Sequence, residues 1–360
     1  MDRRIVLAAR QPDLEALRAL ASLMVFTSHL PWYQYFPDGL WKSAPSWLSP
    51  SAPVFGIGGF AVVWFLVLSG VGLCRLLVIK APPAMRYLRD RLGKLYTIFW
   101  AIGIPAVAIA FLCTWLPFAQ IPNAVLMLLG LGWVTPGSWA AIFPSWWYMG
   151  IAVQAVLVAP LMLWMIRRIT PWGALAVTAA VVVASCFVVP ALGFDFSEKA
   201  LIICRALEVL GGMFLALEMW PDVREKLGVS RRGAAALVTA TFAILVIMLA
   251  TGLGGRWLYR AAGLAVVAAV VYLHPMQRFG SARLAKWAAY AGGLSFAFYL
   301  IHEPTMLVIR RLTGAPNHIG LGLLAAISFV VVSVLAVIFT EGVARAGKRR
   351  AGATATGGVS

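Results

Sequence analysis

Long apolar runs, broken by short polar and basic segments, fill this chain. A helix needs about 20 mostly apolar residues to cross the hydrocarbon layer. By that measure the pattern predicts about ten spans. They begin near Leu14, Val54, Leu95, Trp146, Pro171, Ala200, Gly233, Leu258, Lys286 and Ile319. One stretch departs from the pattern. Pro117 to Pro144 carries no charged residue, yet its apolar core, Ala124 to Val134, is too short to cross. It reads as a re-entrant or interfacial segment on the outer side. The expected fold is all-α: a polytopic membrane bundle forming one domain over residues 1–344. Residues 345–360 make a small, basic tail expected to be disordered. No internal repeat, low-complexity block or second soluble domain interrupts the bundle.

Composition agrees. The 360 residues are 62% hydrophobic and only 12% charged, which excludes a soluble domain. The formal charge of +17 would suggest nucleic acid in a soluble protein. Here the basic residues sit in short loops beside apolar runs, so the expected partner is the bilayer and no nucleic acid. Arg3, Arg4 and Arg10 precede the first span, and Arg75, Lys80, Arg86, Arg89, Arg91 and Lys94 occupy the second connection. Arg167 and Arg168, then Arg224, Lys226, Arg231 and Arg232, then Arg283 and Lys286, and finally Lys348, Arg349 and Arg350 follow at alternate connections. All fall on one side if both termini are cytoplasmic. Arg256, Arg260, Arg310 and Arg311 fall on the other side; they read as interior-facing, as ligands for an anionic acceptor, or as solvated helix ends. The first run carries Arg18 and lacks a small-residue cleavage site, so it reads as a retained span. Cys74, Cys113, Cys186 and Cys204 lie in apolar runs without metal-ligand spacing and are expected to remain thiols.

The chemistry gathers in the first span. Arg18 and His29 are eleven residues apart, three helical turns, so they share a face about 16 Å apart along the axis. An ionisable group inside a span commonly faces the protein interior and marks a site. Equally, Arg18 reads as a positive-inside anchor and His29 as an interfacial residue. Depth favours the site. His29 lies about 22 Å along a span entering at Leu14, and His302 about 24 Å along the one entering at Lys286. Both enter from the cytoplasm, so the imidazoles share one level. Pro304 then removes a backbone donor just beyond His302. Glu15, Ser69, Gln154, Arg205, Glu208 and Ser295 complete the polar inventory of the spans. Arg205 and Glu208, three apart, can pair, and such a pair is more often a structural bridge than a catalytic one. No phosphate-binding glycine loop, nucleophile elbow or Cys/His cluster with metal spacing is present, so no metal is expected.

In this order the residues resemble the membrane acyltransferase-3 family. Arg18 and His29 are similar to its first-helix motif, an Arg followed eleven positions later by His. Trp64-Phe65-Leu66-Val67-Leu68-Ser69-Gly70 resembles its second-helix block, and Arg91-Leu92-Gly93-Lys94 its Arg-x-x-Arg motif. Arg205-Ala206-Leu207-Glu208 with Gly211 resembles a sixth-span block, and Leu294 to Pro304 a late-helix signature. The chain departs from the family pattern at Glu15 (Asp), Val63 (Asp), Lys94 (Arg), Ala152 (Glu) and Val156 (Tyr).

The resemblance implies a multi-pass enzyme of the bacterial cytoplasmic membrane. It would move an acyl group, acetyl being the expected one, from cytoplasmic acyl-coenzyme A to a hydroxyl of an extracytoplasmic glycan or glycolipid. The coenzyme is a donor substrate, and no permanently bound cofactor is expected. Arg91 and Lys94 are the expected donor contacts, and Arg18 extends that anion path inward. His29 is the expected general base, with His302 sharing that role, orienting the acceptor or polarising the acyl carbonyl. Ser69 lies toward the inner half of its span and reads as a helix-packing residue beside Gly70. A transporter or flippase would use the same interior charges, but no inverted repeat or matched pair of broken helices supports it. A non-catalytic relative is the third reading, motivated by Val63 and Ala152.

Overall fold

A computed structural model of the chain describes residues 11–30, 53–113, 117–132, 134, 143–192, 201–251, 256–278, 280–313, 326–343 and 345. Among these, every regular element is helical. In chain order they are α1 (Pro12–Leu30), α2 (Pro53–Arg75, continued by a π turn over Leu76–Lys80), α3 (Ala84–Leu112), α4 (Ile121–Leu128) and α5 (Trp147–Arg168). Then come α6 (Pro171–Ala191), α7 (Ala206–Met219), α8 (Pro221–Lys226), α9 (Arg231–Ala250), α10 (Arg256–Leu273), α11 (Pro275–Arg278) and α12 (Ala282–Thr313). The final described span, α13, is Ala326–Val343.

Seven of these segments are long and apolar enough to cross a bilayer: those in α2, α3, α5, α6, α9, α12 and α13. The chain is therefore a multi-pass membrane protein. The three remaining predicted spans are also helices, and each falls short for a physical reason. α1 carries Asp13, Glu15 and Arg18 in its first two turns. α7 has 14 residues, about 21 Å of helix, and Ala206 to Leu217 are buried on every side. Its neighbours, rather than lipid, set its length. The apolar part of α10, Trp257–Leu273, is likewise short.

α1, α2, α7 and α12 form the centre: α1 packs along α12 and α2, and α2 along α7. Two glycines allow the last contact. A Cβ on Gly70 would strike the Val209 carbonyl oxygen, and one on Gly212 would strike the Val67 carbonyl oxygen. Small residues at such a crossing let two backbones approach closely, where lipid supplies no hydrophobic drive. The periphery is apolar in the opposite direction. Ile104, Ile109 and Leu112 of α3 and Phe329, Val330, Val334 and Ile338 of α13 are exposed, as lipid-facing side chains must be.

The uncharged Pro117–Pro144 stretch does not span in its described part. A short 3-10 turn, Phe118–Gln120, leads into the eight-residue α4. α4 ends in a Schellman turn: Leu131 N–H donates to Leu126 O at 2.8 Å, Gly130 N–H donates to Met127 O at 2.9 Å, and Gly130 has φ +70°. Two more end carbonyls are satisfied from α3, by Tyr96 Oη on Leu129 O (2.5 Å) and Trp100 Nε1 on Leu128 O (2.7 Å). Tyr96 and Trp100 lie about 18 and 24 Å along α3, so α4 ends against the middle of that helix with these end carbonyls satisfied.

None of the four cysteines is in a disulfide. The expected tail falls largely on 346–360, outside the described residues; at its start Arg345 pairs with Glu341 at 2.9 Å.

Candidate active site

Helix geometry alone brings the two imidazoles together. α1 and α12 lie side by side, and His29 Nδ1 sits 2.9 Å from His302 Nε2. The rings are near-parallel, 22° between planes and 5.0 Å between centroids. His302 is fully buried, and its Nδ1 bonds the Tyr299 carbonyl one turn back. A carbonyl only accepts, so His302 Nδ1 carries the hydrogen. With His302 neutral, its Nε2 then holds a lone pair, and His29 Nδ1 must donate to it. That assignment leaves the lone pair of a neutral His29 on Nε2.

A polar collar fixes this arrangement, and much of it was invisible in the chain's spacing. Glu303 is fully buried and accepts from Ser145 N–H at 2.7 Å and Ser145 Oγ at 2.5 Å. Tyr299 Oη donates to the Ser145 carbonyl. Pro304 has no N–H for the Leu300 carbonyl four residues back; Trp146 Nε1 supplies one instead, at 3.0 Å. The loop around Ser145 therefore stitches the start of α5 to the middle of α12. Ligand atoms of His29, His302 and Glu303 all lie within 4.8 Å of one another. Glu303 and Tyr299 stand beside His302 in sequence, one position after and one turn before, which is the signal that singles them out.

Toward the start of α1 a cavity of about 390 Å³ opens between α1, α2, α3, α5 and α12. Arg18, Arg91 and Lys94 give it a basic end, while Phe65, Leu68, Leu95, Ile98 and Phe296 give it apolar walls. Arg18 pairs with Glu15 at 2.6 Å. It belongs with Arg91 and Lys94, several turns from the imidazoles. By contrast, Arg86 and Arg89 point outward and share Asp90 at 3.8 and 3.7 Å. Ser69 and Ser295 line the cavity, each with its hydroxyl bonded to its own helix, Ser69 to Phe65 O and Ser295 to Gly292 O. Ala152 and Val156 line it too, so two departures from the family pattern leave this wall apolar where Glu and Tyr are usual. Two more departures, Glu15 and Lys94, line the cavity as well, whereas the fifth, Val63, packs against Gly263 of α10.

The deep end of the cavity is closed by Tyr148 and Tyr299, whose ring centroids are 5.6 Å apart. The Tyr299 ring is also 5.6 Å from that of His302. Among the described residues, neither histidine lines the cavity; one tyrosine layer separates them from it.

The remaining candidates are elsewhere. Gln154 Oε1 accepts from Ile202 N–H at 3.0 Å, tying α5 to the turn before α7. Arg205 Nε meets Glu208 Oε1 at 2.7 Å, and Arg260 reaches the same oxygen at 3.4 Å. Arg260 also donates to Cys204 O at 2.7 Å and lies 4.1 Å over the Trp257 ring. Of the three readings open for it, the structure selects the interior-facing one. The side chains of Arg256, Arg310 and Arg311 lie outside the described set.

No curated protein and no solved structure matches the chain. A family model described as an acyltransferase domain matches residues 11–341, nearly its whole length. With a helical membrane bundle around a histidine pair and a basic inner cavity, the chain belongs to the acyltransferase-3 family and is an acyltransferase.

Proposed function

We propose that this enzyme is a membrane O-acyltransferase that takes an acyl group, acetyl first among candidates, from cytoplasmic acyl-coenzyme A to a hydroxyl of an extracytoplasmic glycan or glycolipid. The observation that carries this reading is the His29–His302 contact with its assigned tautomers. His29 Nε2 takes the acceptor hydroxyl's proton as that oxygen attacks the thioester carbonyl. The carbon–sulfur bond then breaks, and the proton returns from the imidazolium to the leaving thiolate. His302 holds the His29 ring through Nδ1, and the nearby Glu303 carboxylate favours the transient positive charge. Arg18, Arg91 and Lys94 hold the donor at the inner mouth. The acyl group then passes Tyr299, which lines the cavity and lies against His302. Loop charges support both termini in the cytoplasm of a bacterial inner membrane.

The test uses membranes containing the protein, supplied with radiolabelled acetyl-coenzyme A. Label should become covalently attached to an outer-face glycan, which gains the mass of one acetyl unit. Label that crosses the membrane without attachment would overturn the reading in favour of transport.

Three donor atoms within 4.8 Å raise a second reading, a divalent cation held by His29, His302 and Glu303. The 2.9 Å nitrogen separation argues for a hydrogen bond. Two nitrogens at about 2.0–2.1 Å on a tetrahedral zinc would stand about 3.3 Å apart. Dialysis against a strong chelator should therefore leave acyl transfer unchanged. Loss of activity that added zinc restores would make the trio a metal centre.

A further inference from the structure

A second cavity, about 320 Å³, adjoins the first toward the start of α1 and brings in Arg75, Lys80 and Trp220, which the chemistry above does not use. The two share Glu15, Arg18, Gly72 and Arg91. Along α2 and its π turn the first cavity is lined from Phe65 to Leu73 and the second from Val71 to Lys80. The pair thus forms one trough running about 22 Å along that helix, from Lys80 to Phe65. Four cations line the second cavity, Arg18, Arg75, Lys80 and Arg91, against one carboxylate, Glu15, which Arg18 already engages. These are not placed like Arg86 and Arg89, whose side chains are 69% and 78% exposed. Arg75 lies 4.7 Å over the ring of Trp220, which forms the cavity wall where α7 turns into α8. Arg18, Arg75 and Arg91 are half-buried and Lys80 stands exposed at the rim; such cations beside a flat aromatic surface suit a ligand with several phosphates and a planar base.

We propose that the second cavity binds the nucleotide end of the donor, its phosphates on Arg75, Lys80 and Arg91 and its base against Trp220. This rests on the acyl-coenzyme A reading. Arg91, in both cavities, marks where the phosphates give way to the pantetheine arm, which lies in the first cavity with the thioester toward Tyr299. Arg75, Lys80 and Trp220 are donor-binding residues that the Arg91–Lys94 motif does not contain.

The experiment uses the full-length protein in phosphatidylcholine nanodiscs, with coenzyme A and adenosine 3′,5′-bisphosphate as probes. The bisphosphate should compete with coenzyme A. Lys80→Gln, at an exposed position that leaves the fold intact, and Trp220→Ala should each weaken both probes by about tenfold. In transfer assays each should raise KM for acetyl-coenzyme A by a similar factor, with kcat and the KM for S-acetylpantetheine unchanged. If coenzyme A binds and neither variant weakens it, the nucleotide lies elsewhere; this proposal falls and the donor reading stands. If the bisphosphate binds in the variant-sensitive way but acetyl-coenzyme A is neither bound nor consumed, the subsite stands and the donor reading falls. If neither probe binds, both fall. If adding phosphatidylglycerol displaces the bisphosphate, the cavity holds a lipid phosphate and the proposal is overturned.

Discussion

Alanine in place of His29 should lower acyl transfer by about 10²- to 10⁴-fold, the usual span for losing a general base. The protein should remain folded. His29 lies at the last turn of α1, is half-buried, and bonds His302 at one edge. Its removal takes away a proton acceptor without opening the packed centre, where Leu17, Ala21, Val25 and Phe26 carry the α1 contacts. The distinguishing measurement is transfer per folded molecule, with folding read as a monodisperse size-exclusion peak and an unshifted thermal midpoint. The loss should lie in kcat, because the basic residues proposed to hold the donor line the cavity on the far side of Tyr299. Wild-type kcat in the folded variant would remove His29 as the base and leave the histidine pair a structural contact.

The periodicity that placed His29 and His302 at one depth is also why they meet. α1 and α12 enter from the same side, so equal distance along parallel helices becomes proximity. Apolar length likewise located seven spans and showed that the segment holding the short α4 does not cross. What the chain could not show is which side chains cross between helices. Glu303 was legible only as a neighbour of His302; its anchor, Ser145, lies 158 residues away on an unrelated segment. Arg205 and Glu208 were readable as an i, i+3 pair, yet the third member, Arg260, comes from α10 and had looked like a violation of the loop-charge pattern. Gln154 was plausible at a site, but only the structure gives its task, the bond to Ile202. The tyrosine layer between the basic cavity and the histidines is only half legible: Tyr299 stands one turn before His302, but Tyr148 is an ordinary aromatic residue until its helix is packed.

Substituting Glu208 by alanine is the change expected to cost the fold most. Arg205 and Arg260 retain only 7% and 5% side-chain exposure, and both guanidinium groups converge on Glu208 Oε1. The wild-type cluster is two cations on one carboxylate, steadied by the Cys204 carbonyl and the Trp257 ring. Removing the carboxylate leaves two buried positive charges facing one another. Deleting one partner of a buried ion pair costs about 3–5 kcal/mol, against a total stability of about 5–15 kcal/mol for an ordinary domain. Glu208→Ala should therefore lower the yield of monodisperse protein severely and depress its thermal midpoint. Glu208→Gln keeps an acceptor oxygen without the charge and should fall between. Replacing all three residues with apolar side chains of similar volume should recover most of the loss, because the penalty comes from unpaired charge and not from missing bulk. A Glu208→Ala protein with wild-type yield and midpoint would mean that water or lipid headgroups reach these guanidiniums, and that the cluster is not the sealed bridge its burial describes.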